Sequence, residues 1–163
     1  MNLSALLGGS RYALEGALHG VAAGLFMITA TIGLFQAYRL LTGTIQHPAQ
    51  LEFGSVVNAL LAFLTVLFGN RIYIFYRAQG GPRSYFMENS PQIHKIFFEF
   101  KEFVALFTLP LAVTAAFLFL AYRDQMLRSK GLRTIAAVLL ALTFFYFLVA
   151  FGLGAAITKL RGL

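Results

Sequence analysis

Glu15 and His19 stand one helical turn apart in the stretch ALEGALHGVAAG, where Gly16, Gly20 and Gly24 recur at every fourth position. A second histidine, His94, opens a stretch that also carries Glu99 and Glu102, and Arg71 interrupts an otherwise apolar run. These residue types could do three kinds of chemistry. A histidine nitrogen beside glycines could ligate the metal of a tetrapyrrole that approaches the backbone closely. For haem b a second axial ligand is usual, and His94 is the candidate partner of His19. Carboxylates and a histidine near a membrane surface could exchange protons with a quinone, here walled by Phe97, Phe98 and Phe100. Ionisable groups in that setting are costly and normally paired, so Arg71 with Glu15 or Glu102 could instead be structural.

Other chemistry is excluded. There is no cysteine, hence no disulfide, thiolate metal site, iron–sulfur cluster or covalently attached haem. A di-iron carboxylate bundle needs Glu-x-x-His from paired helices. Glu15 and His19 are four apart, and Glu99 to Glu102 has no histidine. No phosphate-binding glycine loop, nucleophile elbow or paired-histidine zinc motif occurs. No complete catalytic set remains.

The elements that must position these residues follow from composition. The chain has 163 residues, 59% of them hydrophobic and 12% charged. Soluble domains carry about 25% charged residues. The charges cluster between four apolar runs, at about 18–38, 56–76, 103–122 and 132–158. Each approaches the roughly 20 residues that cross a hydrocarbon core. In lipid the backbone must satisfy itself, so each run is expected to be helical. The expected fold is all-α: an integral membrane, antiparallel four-helix transmembrane bundle forming one domain, with helices over about 13–41, 55–78, 91–122 and 132–159. An even number of crossings places both termini on one side, called the terminus side below. The first run lacks a basic leader and a cleavage site, so it is expected to remain as a helix.

Residues 41–55, 77–91 and 123–131 read as connections, and in the second Gly80, Gly81 and Pro82 stop the preceding helix. Asn89 or Ser90 should cap a new helix with Pro91 at its first position. In residues 92–103, Ile93, Ile96, Phe97 and Phe100 follow helical spacing, with Lys95, Glu99 and Glu102 on another face. This predicts an amphipathic extension in the headgroup layer. His94 would stand about 13 Å before Phe103, outside the hydrocarbon. Pro110 should bend the third long helix.

Arg11, Arg71, Arg77, Arg83, Lys95, Lys101, Lys159 and Arg161 fall on the terminus side, against Arg39, Arg123, Arg128, Lys130 and Arg133 opposite. That excess predicts cytoplasmic termini. The net charge of +7 is then loop charge facing anionic headgroups. No dense basic patch with stacking aromatics points to nucleic acid.

Between helices in lipid, close backbone approach supplies association. Gly16, Gly20 and Gly24 therefore read as a packing ridge, within the bundle or against a partner. With 18 phenylalanines, no tryptophan and no polar mid-membrane path, the composition points away from a transporter. The leading expectation is a non-catalytic integral subunit of a larger membrane complex of respiratory or photosynthetic type, in contact with other integral subunits and lipids. The alternative is a b-type cytochrome subunit passing electrons between haem, held by His19 and His94, and a quinone.

Overall fold

A computed structural model describes the backbone over residues 3–45 and 47–161, and side chains from 12 to 160 except 46 and 127. The ends of the chain and the side chains of Arg11 and Arg161, which entered the charge count, lie outside the described residues. Four long helices form the molecule: α1 (Leu3–Thr42), α2 (Pro48–Arg77), α4 (Glu99–Ala121) and α6 (Lys130–Arg161). Short helices α3 (Pro82–Asn89) and α5 (Arg123–Arg128) lie in the two later connections. A π-helical segment, Ile93–Phe98, leads into α4. No strand occurs among the described residues. The protein is an all-α four-helix bundle. Four stretches, Tyr12–Thr42, Pro48–Arg77, Ile93–Ala121 and Lys130–Leu160, are long and apolar enough to cross a membrane, which makes it a multi-pass integral membrane protein.

Chain order sets the packing. α1 packs on α2 and α6, and α4 packs on α2 and α6, so the long helices run around a ring with α1 and α4 on one diagonal. The facing surfaces are small: Ala22, Ala23, Ala30, Ala37, Ala62, Ala112, Ala115, Ala116, Ala136, Ala137 and Ala150 are buried. Large apolar residues such as Val21, Ile28, Phe35, Phe63, Leu106 and Phe117 point outward. Lipid rewards that arrangement, because tails are as apolar as leucine and dispersion at short backbone distance drives association. Phe26 and Phe147 fill the middle of the core, with ring centroids 4.1 Å apart.

The connections are tighter than the sequence suggests. Pro82 starts α3 at the first position, where its missing N–H costs nothing. Gly81 before it is required: a Cβ there would lie 2.7–2.9 Å from the carbonyl oxygens of Phe75, Ala78 and Tyr76. Gly43 closes α1 with φ +72°, a left-handed conformation that favours glycine. Phe86 of α3 is buried against Tyr76 and Ile157, so α3 is folded onto the end of the bundle.

The expected amphipathic extension is present as helix, with Ile93 partly packed and the other apolar residues of its stripe on the outside. Ile96, Phe97 and Phe100 are exposed, whereas His94 is only 2% exposed. The π segment contributes to this: the Glu99 N–H reaches the His94 carbonyl, five residues back, and so changes the angular register. Lys95 and Glu99 are exposed as well, while Ile93 and Glu102 are half-buried, so the two stripes do not sort into an inner and an outer face. His94 is packed within the protein, against Tyr76 and Phe98.

Candidate functional site

Most of the singled-out polar residues meet at the terminus-side end of the bundle. His19 projects from α1 onto α2. Its Nδ1 lies 3.0 Å from the Thr65 carbonyl oxygen, so the neutral ring donates there and leaves Nε2 as a bare acceptor. The ring lies against Gly69, where a Cβ would be 3.2 Å from Cε1. Absence of a side chain at Gly69 is what lets the imidazole reach a carbonyl already serving its own helix.

One turn earlier, Arg71 Nε donates to Glu15 Oε1 at 2.6 Å, joining α1 to α2. Arg71 is 60% exposed on its side chain and Glu15 12%. Glu15 Oε2 is buried without a hydrogen-bond partner among the described residues. The pair is thus lopsided: the acid is committed to the protein and the base reaches outward, as a snorkelling arginine does. Of the two carboxylates the sequence offers to Arg71, the fold uses Glu15.

His94 sits at the junction of α2, α3 and the π segment. Arg83 Nε donates to its Nε2 at 3.1 Å. Its Nδ1, which then carries the hydrogen of the neutral ring, lies 3.0 Å from Tyr76 Oη. Phe98 stacks on Tyr76 with centroids 4.1 Å apart and planes 1° from parallel, and Tyr73 adds a further stacked ring. The Arg77 guanidinium lies over Tyr73 at 4.6 Å. Glu99 is exposed, with Oε1 4.0 Å from His94 Nε2. Glu102 is half-buried and interacts electrostatically with Lys101 and Tyr73. Phe98 belongs to this stack, while Phe97 and Phe100 face outward, so the three phenylalanines do not wall one site.

The two histidines therefore differ in what they offer. Both ring nitrogens of His94 are engaged by protein groups. A haem iron could take His94 only if the bond to Arg83 or to Tyr76 were given up. His19 keeps Nε2 available, and its Nδ1–H bond to a carbonyl is the kind that orients a metal-ligating histidine. No group of three or more metal-ligating acids or histidines occurs among the described residues.

The glycine ridge has a distinct place. A Cβ built on Gly16, Gly20 or Gly24 would meet nothing within 4 Å. The ridge runs along a flank of α1 where, among the described residues, no side chain or backbone comes within 4 Å of such a Cβ. The glycines that do receive neighbours are others. Gly54 lies under the Gln36 amide, with a Cβ-to-Nε2 distance of 3.2 Å. Gly69 lies under His19, and Gly154 under Lys101, with a Cβ-to-Cε distance of 3.5 Å.

Sequence reasoning missed the polar contacts of the bundle middle and the far end. Thr29 Oγ1 donates to Asn58 Oδ1 at 2.9 Å between α1 and α2, with Asn58 buried. Arg123 at the start of α5 pairs with Glu52 of α2 at 3.3 Å. The signal for the first was Asn58 itself, an amide near the start of an apolar run. The second carries no signal in the spacing, because it joins residues far apart in the chain.

No family model, no curated protein and no solved structure matches this chain.

Proposed function

We propose that this protein is a non-catalytic integral subunit of a larger membrane assembly, of the respiratory or photosynthetic kind. One observation carries the reading: Gly16, Gly20 and Gly24 form a flat flank on α1, and among the described residues nothing lies within 4 Å of a Cβ placed on any of them. Three glycines on one stripe cost a helix about 1 kcal/mol each relative to alanine. Close approach of another helix is what offsets that cost in lipid. The polar groups support the same reading. Arg71 with Glu15, His94 with Tyr76 and Arg83, and Asn58 with Thr29 are spent on holding helices together.

The test is the size of the particle in mild detergent. Wild-type protein drawn from its native membranes should migrate with other polypeptides. Gly20→Ile should migrate as the free chain while keeping its helical circular dichroism. Wild-type protein that leaves the membrane alone, at the mass of the single chain, refutes the reading.

The b-type cytochrome reading draws support from His19 alone, through its oriented ring and available Nε2. It gains none from His94. An absorption spectrum separates the two. On the subunit reading the purified chain shows no Soret band. A Soret band that shifts on dithionite reduction and disappears in His19→Ala would establish the cytochrome.

A further inference from the structure

His94 Nε2 stands between two groups that require opposite protonation states of it. Arg83 Nε lies 3.1 Å away. A guanidinium has N–H donors and no acceptor, so Nε2 carries no hydrogen while that bond exists. Glu99 Oε1 lies 4.0 Å from the same nitrogen. A carboxylate accepts only, so a bond to Glu99 needs a hydrogen on Nε2. The two bonds exclude each other, and a single proton decides between them. The other ring nitrogen is indifferent to the choice. Nδ1 keeps its hydrogen in either state, facing Tyr76 Oη at 3.0 Å, and the ring stays against Phe98.

The competing partners come from different elements. Tyr76 and Glu99 belong to the long helices α2 and α4, whereas Arg83 belongs to the short helix α3. The Nε2 bond therefore ties α3 to the ring, alongside the burial of Phe86 against Tyr76 and Ile157.

The charges around the ring set the direction. α3 presents Arg83, α2 presents Arg77 beside Tyr76, the π segment carries Lys95, and α4 presents the acid, Glu99. α6 presents Ile157 to the cluster, and its Lys159 is exposed. A protonated ring would set its Nε2 hydrogen against that of Arg83 and place two cations in contact. Arg83 is half-buried at the surface end of the cluster and has room to withdraw. Glu99, with its side chain 57% exposed, has only to close from 4.0 Å to the roughly 2.8 Å of a charged N–H···O bond. With α3 latched, Nε2 holds no proton. With α3 released, the ring takes one near the ordinary imidazole value of about 6.5. The released state binds more protons, so the latch is fully present above that value and loses ground as pH falls through and below it.

We propose that His94 is an acid-operated switch on the connection 77–91. Neutral, it latches α3 to the bundle through Arg83. Protonated, it exchanges Arg83 for Glu99 and releases α3, which uncovers Phe86. The switch needs neither the glycine ridge nor a partner subunit.

The test uses the full chain in phosphatidylcholine nanodiscs. The chain lacks cysteine, so spin labels are attached through Glu88→Cys on α3 and Lys159→Cys on α6, both exposed positions. Their separation is measured by pulsed electron paramagnetic resonance between pH 8 and pH 5. At pH 8 the distribution should be single and narrow. Toward pH 5 a longer, broader population should grow, the ratio of released to latched chains rising roughly thirtyfold for one proton taken up near pH 6.5. His94→Gln keeps a neutral acceptor for Arg83 and should give the same distribution at both ends of the range. Glu99→Gln removes the acid that receives the charged ring, so release should move to lower pH. Asp124→Asn, at the opposite end of the bundle, should follow wild type, and a shift there would place the titration elsewhere. A wild-type distribution unchanged from pH 8 to pH 5 overturns the switch, and so does release that persists in His94→Gln. If His94→Gln does not fold, Glu99→Gln decides, since it alters an exposed side chain: release at the wild-type pH overturns the exchange of partners.

Discussion

His19 and His94 are the same residue type in opposite situations. His94 is saturated by Tyr76 and Arg83 and closed off by Phe98. Its replacement by phenylalanine keeps an aromatic ring but leaves Tyr76 Oη without its donor and Arg83 Nε without its acceptor. Unsatisfied buried groups cost about 1–3 kcal/mol, so His94→Phe should lower the chain's unfolding free energy in detergent by that order. Proteolysis within 77–91 should accelerate, since Arg83 helps hold α3 to the bundle. Unchanged cleavage there would show that the latch carries no load. A second comparison concerns Glu15 and Arg71. Removing one partner of a committed pair is worse than neutralising it. Arg71→Ala should therefore destabilise by about 2 kcal/mol, less than a fully buried pair because Arg71 is largely exposed. Glu15→Gln should cost less, and thermal unfolding of the two variants checks the order.

At the scale of elements, glycine positions separate packing inside the chain from packing outside it. Gly69→Ala would place a Cβ 3.2 Å from His19 Cε1 and force the ring to give. The expected cost is about 1 kcal/mol, and it should vanish in a His19→Ala background. Gly20→Ala meets nothing and should leave the isolated chain as stable or more stable, by up to about 1 kcal/mol. Unfolding measurements on the monomer in detergent test both. The same contrast shows what the sequence could reveal. The four long helices were legible from run length alone, because lipid leaves the backbone few alternatives. α3 and α5 were not, since both lie in polar connections of near-random periodicity. Gly54, Gly69 and Gly154 were also hidden. What makes each necessary is a side chain from a different helix: Gln36, His19 or Lys101. Conversely the regular spacing of Gly16, Gly20 and Gly24 was plain, while the flank it occupies could be assigned only from the packed structure. At 93–100 the spacing located a helix but not that His94 is the residue turned inward, because that depends on Tyr76 and Arg83 from other elements.

At the scale of the molecule, small side chains line most of the helix contacts, many large ones face outward, and ionisable groups lie toward the two ends, with the histidine and Glu15–Arg71 contacts at the terminus side. The absence of cysteine makes this arrangement easy to probe, since single introduced cysteines report without background. Cysteines placed before Tyr12 and after Leu160 should react with an impermeant thiol reagent from the same side of the membrane, and one at His47 from the other. Reaction of the two terminal positions from opposite sides would break the four-crossing arrangement. The subunit reading is tested most directly by cross-linking in native membranes. A cysteine at Gly20, carrying a short thiol-to-amine or photoactivated linker, should capture a second, different polypeptide, while the same linker at outward-facing Leu60 on α2 should not. If Gly20 captures nothing but lipid, or no more than Leu60 does, the ridge has no partner and the assignment as a subunit is contradicted.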